Sequence, residues 1–374
     1  MDLKKITEVA DLKGLVVMVR SSCNVPLVEG RVRNSFRLRR ALPTLQYLSA
    51  KGAKTIVISH LGREPHETLR PVYEEMNLTL SMKWAGAVTA PEFAAARSSM
   101  IDGEVIFCEN LRQDIREEEN DPAFVGLLAE GVDLYVNDAF AEVHRNHAST
   151  LGLAKVLPAY AGVALVDEIE GVKKVMQPEH PSLFLIGGAK FETKMPLVEK
   201  YLQIYDHVFV GGALANDVFK ARGFNVGQSL VSEVSLVDAP FLTSDKLVVP
   251  IDVMVDSPDG VVVKLPSEVT NEEKIFDMGP KSVKLLESYI AEAKTILWNG
   301  PFGNYEAGFT ESTEAVAKLI AKAEGFSVLG GGDTVAAVEK LGLNDQFGFV
   351  SIGGGSMLTL LEHGSTPVLD CLKN

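Results

Sequence analysis

The chain has 374 residues, is 46% hydrophobic and 23% charged, and carries a formal net charge of −14, values that allow two globular domains and argue against a nucleic-acid or anionic-membrane surface. No apolar run reaches membrane-spanning length, and the amino-terminal MDLKKITEVADLKG lacks the apolar core of a signal peptide. Cys23, Cys108 and Cys371 have neither disulfide-framework nor zinc-site spacing, so a reducing cytoplasm is expected.

Apolar runs at 15–19 (LVVMV), 55–59 (TIVIS), 105–108 (VIFC) and 134–137 (LYVN) read as buried strands. Between the first two, Leu38, Leu42, Leu45 and Leu48 keep a helical spacing that ends at Gly52. Residues 158–180 contain no strand run and read as a helix between prolines, the connector of two domains. Beyond it the apolar runs return, as SLFLIGGAK (182–190), HVFVGGALAND (207–217), TILWNGPFGNYE (295–306), SVLGGGDT (327–334) and GFVSIGGGSM (348–357). Helical spacing lies between them at Val316, Leu319, Ile320 and Ala323, and at Val335, Val338 and Leu341 before Gly342. Strand–helix alternation in both halves predicts an α/β protein of two Rossmann-like parallel-sheet domains joined by a helix and hinge. No internal repeat or low-complexity tract interrupts it.

The two halves differ in the chemistry of their strand ends. In the first, Arg20, Arg37, His60, Arg63, Arg112 and Arg145 fall at or just beyond strand ends. A single arginine there is usually a solvated surface residue, but such a cluster in an acidic chain points to an anion, because the guanidinium fork pairs with phosphate and carboxylate at two places. His60 is either a ligand or a neutral histidine packed beside a turn, and His144 and His147 read as structural. In the second half, five apolar runs end on Gly-Gly or Asn-Gly. Such turns can be tight strand-to-helix corners, or they can let phosphates approach bare backbone at helix N-termini. Five of them lining one crevice favour a polyphosphate. Asp333 and Thr334 read either as helix N-caps or, for Asp333, as a carboxylate holding Mg²⁺ on nucleotide phosphates. Lys190 and Lys194 stand one helical turn apart behind a Gly-Gly strand end. There is no P-loop and no dinucleotide fingerprint.

Together these motifs resemble the phosphoglycerate kinase family. CNVP, RALPTLQYL, SHLGR, ENLR, NDAF–HRNH, GGAK, WNGPFG–E, GGGDT and SIGGG occur in its order nearly end to end. The resemblance implies reversible phosphoryl transfer between ATP and the carboxylate of 3-phosphoglycerate, a step of glycolysis and gluconeogenesis giving 1,3-bisphosphoglycerate and ADP. It implies that Arg37 and Lys190 clamp the moving phosphoryl group, with Gly353, Gly354 and Gly355 adding backbone N–H groups. Ser22, Asn24, Arg37, His60, Arg63, Arg112 and Arg145 match its substrate site. Gly187, Gly188, Lys190, Lys194, Gly211, Gly212, Asn299, Glu306, Gly330, Gly331, Gly332, Asp333 and Thr334 match its nucleotide site, Glu306 at a ribose hydroxyl and Asp333 at the Mg²⁺-nucleotide. The implied domains are 1–157 plus 358–374 for 3-phosphoglycerate, 158–180 as interdomain helix, and 181–357 for nucleotide. A cytoplasmic monomer that closes about a hinge is expected, with small-molecule substrates and no nucleic-acid or membrane partner. The alternative is a family-like nucleotide-binding protein whose catalysis is weak or lost.

The chain departs from the family's pattern at several places. Ser22 stands where an acidic residue is usual, Cys23 where a bulky apolar one is, and Ala141 and Glu142 replace small residues. Glu192 and Thr193 replace a small polar residue and an aspartate, Ala213 a glycine, and Ile352 a threonine. The chain is also shorter than most members, with a reduced segment around 66–100. A serine hydroxyl at position 22 is expected to touch the substrate more weakly than a carboxylate would, so that an aspartate there should strengthen binding.

Overall fold

A computed structural model describes residues 1–189, 191–233, 236, 239–257 and 260–374. Two compact units divide the chain, one of Met1–Glu170 with His363–Asn374 and one of Gly171–Glu362.

The first unit is built on six parallel strands: β1 (Val16–Ser21), β2 (Lys54–Ile58), β3 (Lys83–Gly86), β4 (Val105–Cys108), β5 (Leu134–Asp138) and β6 (Ala159–Ala161). Their spatial order is β3-β4-β2-β1-β5-β6, every pair parallel. β4 and β5 are buried along their whole length and β1 and β2 in all but their first residues, which is why they read as uninterrupted apolar runs. Helix α1 (Phe36–Ala50) turns Leu38, Leu42, Leu45 and Leu48 into this core. The segment 158–180 is not helix alone. Ala-Tyr-Ala forms the edge strand β6, too short to register as an apolar run, and it is held by β5 on one side and a bridge from Lys5 on the other. Helix α2 (Val163–Met176) follows. The carboxyl terminus is tied to the first residues by a Leu3–Lys373 bridge and by Lys4 N–H donating to Leu372 O at 2.8 Å.

The second unit has its own six-stranded parallel sheet: β7 (Ser182–Ile186), β8 (His207–Val210), β9 (Leu247–Val248), β10 (Thr295–Asn299), β11 (Phe326–Gly330) and β12 (Phe349–Val350), in the order β9-β8-β7-β10-β11-β12. Helices α3 (Phe191–Leu202), α4 (Ala213–Ala221), α5 (Glu311–Ile320), α6 (Gly332–Lys340) and α7 (Gly354–His363) follow β7, β8, β10, β11 and β12. The parallel α/β pattern leaves out one feature. Val253–Ser257, Gly260–Lys264 and Lys274–Met278 form a small antiparallel sheet with a separate apolar cluster of Phe219, Val253, Val255 and Val269.

Candidate active site

In the first sheet β4, β2, β1 and β5 are neighbours, and the loops at their carboxyl ends carry the basic residues. Arg20, at the end of β1, is the peg on which this end hangs. It is 1% exposed; its Nε donates to Ser149 Oγ (2.8 Å), Nη1 to Ser21 O (2.7 Å) and Ser59 Oγ (3.2 Å), and Nη2 to His60 Nδ1 (2.8 Å). A buried guanidinium satisfied on all sides is a structural post, so Arg20 leaves the set of candidate ligands that its place in the sequence suggests.

Arg20 also decides the state of His60. A guanidinium only donates, so Nδ1 accepts and the ring proton sits on Nε2. Burial first, and then the charges of Arg20, Arg112 and Arg145, push this imidazole far below its ordinary pKa. It is a neutral Nε2–H donor, and among the described residues that nitrogen has no hydrogen-bond partner.

Around it stand the other residues expected from the sequence. Arg37, half-buried in the first turn of α1, donates to the Asn24 carbonyl at 2.9 Å, and Asn24 Oδ1 accepts from Gly62 N–H at 2.9 Å. Arg112 is half-buried, ion-paired to Glu118 at 2.9 Å, and donates to the Gly62 carbonyl. Arg63 is exposed next to that glycine, and the charge of half-buried Arg145 is felt at His60, Arg112 and His147. The structure therefore gathers Asn24, Arg37, His60, Arg63, Arg112 and Arg145 at one end of one sheet. His144 and His147 are shifted down, by burial first and Arg145 next, His147 to about 4.

Ser22 behaves otherwise than expected. It is 1% exposed, and its hydroxyl donates to Glu142 Oε2 at 3.2 Å. Glu142, which in the sequence only departs from the family's pattern, is itself 2% exposed. A glutamate between apolar neighbours, FAEV, beside a basic motif was the available signal.

In the second unit the glycine-rich strand ends knit together. Gly187 N–H donates to the Asn299 carbonyl at 2.9 Å and Gly188 N–H to the Pro301 carbonyl at 2.7 Å. A Cβ on Gly187 would meet Pro301 O at 2.3 Å, and one on Gly212, whose φ is +63°, would meet Gly188 N at 2.6 Å. Close backbone packing thus explains part of the glycine content. At GGGDT the helix begins behind Gly331, whose φ is +99°, and no side chain caps it. Neither Asp333 nor Thr334 is the N-cap. Thr334 Oγ1 accepts instead from Gly300 N–H at 3.0 Å, and Asp333 lies exposed in the first turn. A Cβ on Gly354 would stand 3.3 Å from Gly331 Cα, so the N-termini of α6 and α7 lie side by side, a doubled anion-attracting end.

Next to them Asn299 is buried, and among the described residues its Nδ2 has no hydrogen-bond partner. Lys194 in α3 donates to the Gly187 carbonyl. Glu306 is exposed in the turn Tyr305–Ala307. Lys190 lies outside the described residues. A cavity of about 220 Å³, lined by Phe191, Leu214, Leu230 and Val231 with Glu192 and Asp217, opens beside the Gly-Gly ends of β7 and β8.

The family model for phosphoglycerate kinase matches residues 6–364. The chain is 40% identical to the phosphoglycerate kinase of Rubrobacter xylanophilus, over 98% of this chain and 97% of that one. It is 39% identical to that of Desulforudis audaxviator over the full length of both. The structure of phosphoglycerate kinase from Coxiella burnetii superposes with a TM-score of 0.85 at 34% identity, covering 99% of each chain.

The chain belongs to the phosphoglycerate kinase family. It is a kinase, a phosphotransferase with a carboxyl group as acceptor and ATP as donor. Nothing in these likenesses favours the alternative of weak or lost catalysis. Among the described residues no helix is long and apolar enough to cross a membrane, and no three His, Cys, Asp or Glu side chains cluster as a metal site. One exposed carboxylate, Asp333, beside an uncapped helix end fits a magnesium ion that arrives on nucleotide phosphates.

Proposed function

We propose that the arginine-rich strand ends of the first unit bind 3-phosphoglycerate and the glycine-rich ends of the second bind Mg²⁺-ATP. The observation that carries this reading is the gathering of Arg37, Arg63, Arg112 and Arg145, with a neutral His60, at the carboxyl end of one sheet in a chain of net charge −14. The substrate carboxylate attacks the γ-phosphorus. A carboxylate O–P bond forms, the bond to the β,γ-bridging oxygen breaks, and ADP leaves with its electron pair. No proton moves, because a carboxylate is already ionised at neutral pH and needs no general base. His60 suits that role by its inertness, since Nδ1 is taken by Arg20 and the ring stays neutral.

The protein's task is alignment and charge neutralisation. Arg37 supports the phosphoryl from the substrate side, and Lys190 shares this task in the family resemblance. Backbone N–H groups of Gly353, Gly354 and Gly355 and the orphaned Asn299 amide supply donors on the nucleotide side. Gly330, Gly331 and Gly332 present the N-terminus of α6, and Gly187, Gly188, Gly211 and Gly212 line the nucleotide groove, with Lys194 above it. Thr334 acts by holding the Gly300 turn. Glu306 accepts from a ribose hydroxyl. Asp333 would hold Mg²⁺, which when bound neutralises phosphate charge. The apolar cavity between Phe191 and Leu230 suits a purine. In this reading the enzyme is a cytoplasmic monomer.

A coupled assay with 3-phosphoglycerate, ATP and Mg²⁺ tests the proposal, and turnover that depends on all three is the expected result. A blank rate with nucleotide still bound would overturn it in favour of a binding protein.

A further inference from the structure

The cavity beside the Gly-Gly ends of β7 and β8 carries two acids for which the reading above has no task. Its walls are mostly apolar, Phe191, Leu214, Leu230 and Val231, yet Glu192 and Asp217 also line it. Glu192 stands exposed in the first turn of α3, Asp217 lies in α4, and the charge of Glu192 is felt at Asp217. Asp217 is 6% exposed, and its Oδ1 accepts from Ser232 N–H at 2.8 Å and from Ser232 Oγ at 3.0 Å. Among the described residues nothing donates to its second oxygen, Oδ2, which is not sealed from solvent and is left open to the cavity.

This wall is built. Its loop hangs from two neighbouring side chains of α4, since Asn216 Nδ2 donates to the Leu230 carbonyl at 3.0 Å while Asp217 takes Ser232. Leu230 nevertheless remains 58% exposed, a large apolar side chain that a flat ring lying in the cavity would cover. A metal ion could answer the acids and would leave the four apolar walls unanswered.

The acids select the edge of that ring. Two carboxylates offer acceptors and no donor. Guanine presents N–H groups on two adjacent nitrogens, N1 and N2. Adenine presents them on N6 alone, with the lone pairs of N1 and N7 on either side, and a lone pair set against a desolvated carboxylate leaves both unsatisfied.

We propose that Asp217, with Glu192, reads the base of the nucleotide and selects guanine, so that GTP serves as a phosphoryl donor at a lower KM than ATP. This rests on the assignment of the glycine-rich ends of the second unit to a nucleotide above. Oδ2 accepts from one of the two adjacent donors and Glu192 from the other, while Ser232 keeps Asp217 aimed. The transfer itself is unchanged: the carboxylate O–P bond forms, the bond to the β,γ-bridging oxygen breaks, and GDP leaves with the electron pair.

The test is the initial rate with 3-phosphoglycerate and the Mg²⁺ complexes of ATP, ITP and GTP in turn, read through the 1,3-bisphosphoglycerate formed. KM should be roughly tenfold to a hundredfold lower for GTP than for ATP, the size of a hydrogen bond to a charged group, with ITP, which keeps N1–H and lacks the N2 amine, between them. In Asp217→Asn the amide oxygen keeps Ser232 and the amide nitrogen replaces Oδ2, turning an acceptor into a donor. That variant should raise the KM for GTP at least about tenfold without raising that for ATP, and Glu192→Gln should narrow the GTP preference several-fold. A wild-type KM for GTP equal to or above that for ATP, or an equal rise for all three nucleotides in Asp217→Asn, would make Asp217 a support of the loop and overturn the inference with the kinase assignment intact. Calorimetry with GDP and ADP separates the two readings: tighter GDP without turnover of any triphosphate would overturn the kinase assignment and uphold the inference, and binding of neither would overturn both. Thermal unfolding separates misfolded variants from altered ones, and should Asp217→Asn not fold, the wild-type series and Glu192→Gln decide.

Discussion

Ser22→Asp is expected to destabilise the first unit and weaken substrate binding, the reverse of what the family pattern alone suggests. The serine hydroxyl donates to Glu142 Oε2 at 3.2 Å, and both residues are almost fully buried. An aspartate in that place loses the donor and sets two carboxylates within about 4 Å of each other. At an effective dielectric of about 20, two unit charges so placed repel by about 4 kcal/mol. The lost hydrogen bond adds about 1 kcal/mol, and the charge of Arg112, which couples to Glu142, offsets part of the sum. Taking up a proton caps the cost, because holding an acid protonated at pH 7 against a free pKa near 4 costs about 4 kcal/mol. A net loss of about 2–4 kcal/mol follows, which for a domain of this size lowers Tm by about 5–15 °C.

The pH dependence has a definite sign. In the variant the coupled pair binds a proton more tightly folded than unfolded, so the penalty is small at low pH and grows as pH rises through the raised folded value. Thermal unfolding of wild type and variant from pH 5 to 8, beside KM for 3-phosphoglycerate, is the measurement. Removing the second acid, in Ser22→Asp/Glu142→Ala, should recover most of the stability, as expected for residues in contact. A variant as stable as the wild type with a lower KM for 3-phosphoglycerate would refute the reasoning, because it would mean that the side chain at 22 faces the substrate and not Glu142.

Arg37→Ala should lower kcat by at least about a hundredfold while changing ATP affinity little, since the proposal places its guanidinium at the transferring phosphoryl and nowhere else on ATP; a change confined to KM would remove it from that role. Asp333→Ala should weaken Mg²⁺-ATP binding on the order of tenfold, read by calorimetry, with 3-phosphoglycerate affinity unaltered. Asp138, buried at the end of β5 and accepting from Leu165 N–H at 3.1 Å, is pushed up by burial to about 7. Its folded pKa exceeds the unfolded one, so wild-type stability should fall by roughly 4 kcal/mol as pH rises from about 4 to 7, and Asp138→Asn should flatten that slope in pH-dependent denaturant unfolding.

Most of the fold was legible because both main sheets are parallel and covered, so that runs such as TIVIS, LYVN and SLFLI carry their burial in plain composition. The elements that escaped lack this signature. β6 is Ala-Tyr-Ala, strand only because β5 and Lys5 flank it. β3 begins with an exposed lysine at the sheet edge. The antiparallel sheet of 253–278 mixes exposed Val261 and Val263 with buried Val253 and Val255, a pattern set by which face meets Phe219 and not by local preference.

At the site, legibility depended on whether a residue's role follows from its place on a strand end or from what stands opposite it. Arg37 and Arg112 in the first sheet, and the glycines of β7 and β11 in the second, follow from place, since the carboxyl ends of the strands of a parallel sheet line that sheet's own ligand crevice. Arg20 has the same kind of place and a different role, which only its four hydrogen bonds reveal. Thr334 likewise looks like a cap and serves as the acceptor that fixes Gly300. Ser22 and Glu142 are the extreme case. They lie 120 positions apart in the chain, and each taken alone weakens the case for a working substrate site. Brought within hydrogen-bond distance they form one buried pair, the serine hydroxyl donating to the glutamate carboxylate. A pairing of this kind is a property of the tertiary contact and has no local signature, so departures from a pattern weigh against function only after their positions in space have been compared.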